Sequence, residues 1–329
     1  MSVTAVTVTY GSRLPLLVQV LDALRAQGVR EAIVVDNAAA DPLSVALPER
    51  YGDWAVLHRL PKNLGSAAGF KAGIEQALAR DADNILLVDD DNVPDAGCVA
   101  RLTEALRIVA GGCGRDRAAV CAFRADRHQR AANRPRSTRV RSSFRGSHVL
   151  DIPAKIFSRL RAARPVREDG SSMVPINWAT YGGLLFHRGL IGTIGLPRQD
   201  FCLYADDFEF TYRIKKAGGT IMLVPDARLT DIETSWHIKD KPKSALSAIV
   251  SSGSDFRVYY SFRNGVYFDY HCLEANRAVL VVNTMFTMAM LIFLALIKRR
   301  ASRAGLLLRA MRDGIRGNLG VNARYPIGS

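Results

Sequence analysis

Apolar positions in the N-terminal third of the chain alternate between two periods. Val3 to Tyr10 reads as a strand, Leu14 to Gln27 carries apolar residues at helical spacing, and Glu31 to Asp36 reads as a second buried strand ending on Asp36 and Asn37. A third strand around Trp54 to Arg59 leads to Asn63, Leu64, Gly65 and Ser66, then to a helix from about Ala67 to Arg80 and the apolar strand Asn84 to Val88. Strands separated by amphipathic helices predict a parallel sheet. Ligands of such sheets sit at the carboxyl ends of the strands. The polar residues fall there: Thr9 to Gly11, Asp36 to Asn37, Asn63 to Gly65 and Asp89 to Asp91.

Further along, the pattern breaks and returns. Arg124 to Arg145 holds eight arginines and few apolar residues, and Lys155 to Arg167 adds five more basic side chains. A basic insertion over about 124–167 is therefore expected, either a solvated surface segment or a binding region. Order resumes at Ile176, with Trp178, Tyr181, Gly182 and Gly183 ahead of the strand Leu184 to Phe186, a helix over Tyr204 to Lys216 that opens on acids, and a strand over Thr220 to Val224. Ala278 to Ile297 has no charged residue and is flanked by Arg277 and by Lys298, Arg299 and Arg300. That is the length of a membrane span, although Asn283, Thr284 and Thr287 interrupt it, and a buried core helix has the same length. The basic residues continue through Arg303, Arg309, Arg312 and Arg316, which favours contact with anionic lipid. We draw the boundary near Ser254, dividing a domain over 1–253 from a C-terminal helical, membrane-associating region over 254–329.

Composition narrows the partners. The net charge of +14 favours anionic ones without choosing among them. The five cysteines are scattered, with no CxxC pair to suggest zinc or a redox dithiol, and a reducing compartment fits them best. Nothing at the N-terminus is expected to direct secretion.

The chemistry concentrates in a few residues. Asp89 and Asp91 stand two apart where a strand ends, so extended geometry is expected to turn both carboxylates to one side, where a hard divalent cation, Mn²⁺ or Mg²⁺, could sit. Three acids in a row also suit an ordinary solvated turn. Trp178 and Tyr181 offer faces for a sugar ring or side chains for a core. Gly11 and Gly65 suit tight turns, Asp36 a helix cap and Asn63 a loop brace.

Taken in order, Val6 to Tyr10, Asp36 to Asn37, Asn63 to Gly69, Leu87 to Asp91, Gly182 to Phe186 and Ala205 to Arg213 resemble the family 2 glycosyltransferases of the GT-A fold. The resemblance covers roughly Val3 to His237 and is greatest to bacterial galactofuranosyl- and rhamnosyltransferases of the cell surface. It implies an α/β, Rossmann-like, mostly parallel sheet flanked by helices. On the donor side it implies that Thr9, Tyr10, Gly11, Arg13, Asp36, Asn63, Gly65, Asp89 and Asp90 bind a UDP- or dTDP-sugar. It makes Asp207 the base that deprotonates the acceptor hydroxyl, and places Trp178, Tyr181, Gly182, Asp206, Glu209 and Trp236 around the acceptor. The metal would be held by Asp89, Asp91 and His237.

The implied activity is an inverting, metal-dependent transfer to a polyprenyl-linked glycan at the cytoplasmic face of the plasma membrane, with galactofuranose as the expected sugar and rhamnose from dTDP-rhamnose as the alternative. Nucleic acid is not an expected partner. Two other classes stay open: a sugar nucleotidylyltransferase, faintly suggested by Gly11 to Leu14, and a non-catalytic basic protein that binds a membrane.

Overall fold

The computed structural model describes residues 2–124, 173–233, 250, 254–273 and 277–327. Its strands are β1 (Val3–Gly11), β2 (Glu31–Ala39), β3 (Ala55–Arg59), β4 (Asn84–Leu87), β5 (Asn92–Pro94), β6 (Ala118–Phe123), β7 (Val174–Ile176), β8 (Leu184–His187) and β9 (Thr220–Asp231). They form one sheet in the order β3, β2, β1, β4, β8, β6, β9, β5, with β7 also paired to β9. The first half, β3, β2, β1 and β4, is parallel, as the alternation of strand and helix requires.

The second half is mixed, with β6 and β9 parallel and the remaining pairs reversed. β8 runs antiparallel to both β4 and β6, and β5 and β7 run antiparallel to β9. The reversal has a local cause at Gly183, whose N–H donates to the Leu87 carbonyl (2.8 Å) and whose carbonyl accepts from Ala122 N–H (2.9 Å). β8 therefore begins between the carboxyl ends of β4 and β6 and can only run back down the sheet. At a φ of +88°, with an added Cβ 2.6 Å from Ala122 and Leu229, position 183 suits glycine alone.

Both faces of the sheet are covered. Val3, Ala5, Ala32 and Val34 pack against α1 (Leu14–Ala26), α2 (Leu43–Tyr51) and α4 (Cys98–Cys113), while Val6, Val8, Ile33 and Val35 pack on the other side with α3 (Ser66–Ala79). This strict alternation gives each strand two apolar faces. Leu17, Val20, Leu21 and Leu24 form the buried stripe of α1. After the short α5 (Leu190–Ile194), α6 (Asp206–Lys216) joins the α3 side through Phe210, Tyr212 and Ile214.

The C-terminal helices α7 (Asp255–Tyr267), α8 (Arg277–Ile297) and α9 (Ala301–Arg316) build a third apolar cluster. Cys202, Leu203 and Tyr204 belong to it, so these helices pack directly on the chain just ahead of α6. The basic insertion from residue 125 onward, Trp236 and His237 lie outside the described residues.

Helix α3 approaches the central strand through two glycines one turn apart. An added Cβ would come to 2.5 Å from a Val8 methyl at Gly69 and to 2.3 Å from a Val6 methyl at Gly73. Gly73→Ala should therefore overpack the interface and lower unfolding free energy by about 1–3 kcal/mol in urea denaturation. Gly111→Ala, in α4 with open space around it, should be neutral or stabilising by up to about 1 kcal/mol.

Candidate active site

The acidic run is a turn. β4 ends at Leu87, and the Asn92 N–H donates to the Asp89 carbonyl at 3.1 Å, closing Asp89 to Asn92 before β5 begins. Strand alternation stops there, so the turn and not extended geometry sets where the Asp89 and Asp91 carboxylates point, although the charge of Asp89 still acts on Asp91. Asp90 and Asp91 converge on Arg13: its Nε and Nη2 donate to the two Asp90 oxygens at 2.8 Å each, and Nη2 also reaches Asp91 Oδ2 at 2.9 Å. Arg13 Nη1 donates to Glu233, and the guanidinium lies 5.1 Å from the centre of the Tyr10 ring. Arg13 is thus the counter-ion of the acidic turn.

Asp89 turns toward a second arginine. Arg124, fully buried at the end of β6, directs Nη1 to Asp89 Oδ2 (3.3 Å) and to Asn92 Oδ1, and Nη2 to Asp231 Oδ2 (3.2 Å). Gly182 borders this group, since a Cβ there would lie 2.8 Å from both Asp89 and Arg124. Burial pushes the Asp90 carboxyl up despite Arg13. Burial, with Asp89, Asp90 and Asp231 adding repulsion, pushes Asp91 up to about 7.

The donor-side strand ends are held by amides. Buried Asp36 accepts from Ala39 N–H (2.7 Å) and Arg59 Nε (2.8 Å). The Asn37 amide nitrogen reaches Asn63 Oδ1 and the Gly65 carbonyl at 3.2 Å each, and Asn37 Oδ1 accepts from Leu64 N–H at 2.8 Å. Asn63 Oδ1 also accepts from Gly65 N–H, so Asn63 braces the loop. Thr9 is buried, Tyr10 is exposed, and Gly11 has a φ of +57° at the strand irregularity where β1 leaves β2.

The acid pair of α6 is placed by a strained loop. Cys202, Tyr204 and Ala205 all have positive φ (63°, 67° and 59°), a conformation that costs non-glycine residues energy. Two neighbours hold it. On the α3 side, the Cys202 carbonyl accepts from Ala67 N–H at 3.2 Å, and an added Cβ at Gly65 would sit 2.0 Å from that oxygen. On the α7 side, the buried Asn264 amide nitrogen lies 2.8, 2.7 and 3.0 Å from the carbonyls of Phe201, Leu203 and Tyr204. Buried Arg263 beside it reaches the Gly320 carbonyl at 2.6 Å.

The loop delivers two different carboxylates. Asp206 is buried and accepts from Ser66 Oγ at 3.1 Å; burial and the charge of Asp207 raise its pKa well above the usual carboxylate range. Asp207 is half-buried, with one oxygen accepting from Phe208 N–H at 2.8 Å. The two neighbours thus differ in setting, Asp206 held inside the protein and Asp207 nearer its surface.

Several expected acceptor contacts are core instead. Trp178 is fully buried, its ring meeting Phe208, Tyr212 and Phe268, and Tyr181 is buried against Phe70 and Phe210. Neither has a free face for a sugar, because the chain turns inward at this point to enter β8. Glu209 is likewise buried, 3.3 Å from Arg213 Nη2 on its own helix. Arg124, Asn92, Asp231, Glu233, Ser66 and Asn264 belong to the site but were missed. Arg124 directly follows β6, where the strand-end rule finds it, whereas Asp231 lies beyond the expected end of its strand at Val224.

Residues 4–162 match the family model described as glycosyl transferase family 2. A stretch of 160 residues is 27% identical to galactofuranosyltransferase GlfT1 of Mycobacterium tuberculosis, in strains CDC 1551 and H37Rv alike; it is 48% of this chain and 45% of that protein. The chain thus spans about half the length of the curated relatives it matches. The crystal structure of GalNAc-T7 with UDP, GalNAc and Mn²⁺ superposes with a TM-score of 0.54 at 12% identity, covering 87% of this chain and 54% of that one. The fold is therefore the GT-A fold, and residues 4–162 are similar to the family 2 glycosyltransferases.

Two outcomes follow from the geometry. Asn264→Ala removes the amide donor shared by the carbonyls of Phe201, Leu203 and Tyr204, and loss of a buried partner costs about 1–3 kcal/mol, so the variant should melt earlier and show faster hydrogen exchange at 201–207 than in β1. The second concerns pH. Asp91 binds its proton more tightly folded than unfolded, so the folded state gains stability at low pH and loses it as pH rises from about 4 to 7. In metal-free buffer, Asp91→Asn should flatten that part of the stability profile.

Proposed function

We propose that the chain transfers a sugar from a nucleotide diphosphate donor to a glycan hydroxyl with inversion, Asp207 acting as the base. One observation carries this reading: the Gly65–Cys202 contact locks the loop at the donor-side strand ends to the loop that presents Asp206 and Asp207. A leaving diphosphate and an attacking hydroxyl can thereby be held on opposite sides of one sugar ring, which an inverting displacement requires.

On this reading Thr9, Tyr10, Gly11, Asp36 and the Asn63–Gly65 loop surround the nucleotide. Asp36 keeps lone pairs for a base N–H beyond those given to Ala39 and Arg59. The residues fit a hard divalent cation: Asp91 carries excess repulsion from Asp89, Asp90 and Asp231 that a cation would relieve. No group of three His, Cys, Asp or Glu side chains gathers for a metal among the described residues. Asp89 and Asp91 would hold it with phosphate oxygens completing the shell, and His237 is the proposed third protein ligand. When bound, the metal supplies charge neutralisation for the departing diphosphate.

The likeness to GlfT1 supports galactofuranose from UDP-galactofuranose as the donor sugar, with rhamnose from dTDP-rhamnose as the alternative. A polyprenyl-linked glycan at the cytoplasmic face of the plasma membrane is the proposed acceptor.

Asp207→Asn is the direct test. It should bind UDP in the presence of Mn²⁺ as the parent chain does, while transfer falls by at least about a hundredfold, the lower end for loss of a general base. Unimpaired turnover in that variant rejects the assignment of the base, and UDP binding indifferent to Mn²⁺ rejects the metal.

A further inference from the structure

Helix α8 has two apolar faces, and only one of them is covered. Leu280, Thr284, Thr287, Met288, Leu291 and Ala295 are buried, the apolar ones in the cluster with α7 and α9. Their spacing of three and four places them on one side of the helix. The opposite side carries Val281, Val282, Met285, Phe286, Phe293, Leu296 and Ile297, all exposed; Met285 is 68% and Val282 64% accessible. Half-buried Asn283 lies at the margin of this outer stripe, a quarter turn from the buried side. Thr284 and Thr287 are turned to the protein, where Thr284 Oγ1 accepts from the Tyr270 hydroxyl at 2.9 Å. So long an exposed apolar strip is unusual on a soluble surface.

The flanks identify what covers it. Arg277 at one end and Lys298, Arg299 and Arg300 at the other are exposed. Their positive charge repels a second copy of the chain and attracts anionic headgroups. The covered side settles the orientation. Helix α9, packed against it, buries Arg303 and Asp313 and exposes Arg312 and Arg316. Asp255 at the start of α7 pairs with Arg303 at 3.2 Å. Threading α8 through a bilayer would strip it from these neighbours or drag their charges into hydrocarbon.

We propose that α8 lies in the plane of an anionic membrane, its outer stripe sunk to the boundary between headgroups and acyl chains and its basic ends at the headgroups. The inference sharpens the membrane setting of the proposed function but rests on the helix alone, and its readout is lipid binding rather than transfer.

The full chain is sedimented with phosphatidylcholine vesicles with and without phosphatidylglycerol. Binding should require phosphatidylglycerol, and the double variant Phe286→Glu, Phe293→Glu should lose at least about tenfold in partitioning. Because both side chains point outward, its thermal unfolding and Mn²⁺-dependent UDP binding should match the parent. Depth is read with Met285→Trp in vesicles brominated at set positions along the acyl chain. Strongest quenching near the headgroup supports the in-plane helix, whereas strongest quenching at the chain ends means a span and overturns it. Equal vesicle binding by the double variant also overturns it, as does a parent dimer that the variant breaks without any lipid binding.

Discussion

Four carboxylates, from Asp89, Asp90, Asp91 and Asp231, meet around two largely buried guanidinium groups where β4, β6 and β9 end. Bringing that much negative charge out of water is tolerable only because Arg13 and Arg124 divide it between them. The division sets the shape of the site. Arg13 ties the acidic turn to the start of α1, and Arg124 ties it to β6 and β9, so the turn is fixed from both sides of the sheet. The repulsion left over on Asp91 makes this end of the sheet receptive to a cation, and the guanidinium groups mark where an anion would otherwise sit.

The loop ahead of α6 answers to a different constraint, backbone strain. Three non-glycine residues with positive φ in a stretch of four do not persist unless the surroundings impose them. Here the Gly65 loop imposes one side and Asn264 the other. The loop that positions Asp206 and Asp207 is thus shared between the half of the sheet that carries Gly65 and the C-terminal helices. It explains why Gly65 must lack a side chain: a Cβ would strike the Cys202 carbonyl that Ala67 holds.

Much of this was legible in the sequence where periodicity was strong. The strands and helices from Val3 to Leu87 fall within a residue or two of their expected places, apart from β2, which runs on to Ala39, and α2, which carries an internal proline. What was not legible depended on long-range partners. The reversal of β8 follows from Gly183 bonding to Leu87 and Ala122, residues far away in the chain. β9 was expected over Thr220 to Val224, yet it continues through Pro225 to Asp231, with a register shift against β6 that accommodates the proline. Arg124 was read as the first of a basic run, whereas its position directly after a buried strand makes it the counter-ion of Asp89. Trp178 and Tyr181 were misplaced because aromatic residues ahead of a Gly-Gly turn look alike whether they line a pocket or fill a core.

The C-terminal helices join these two constraints. Helix α7 sends Asn264 to the strained loop, while α8, packed in the same cluster, presents the outer apolar stripe. Close-packed helices transmit position rather than flex. If α8 rests on a bilayer, the distance from the lipid surface to Asp207 is fixed by the thickness of this cluster and by the loop Asn264 holds. On the function proposed above, an acceptor tethered to lipid would then meet Asp207 at a set height, which would confine reaction to hydroxyls displayed at that height on the glycan.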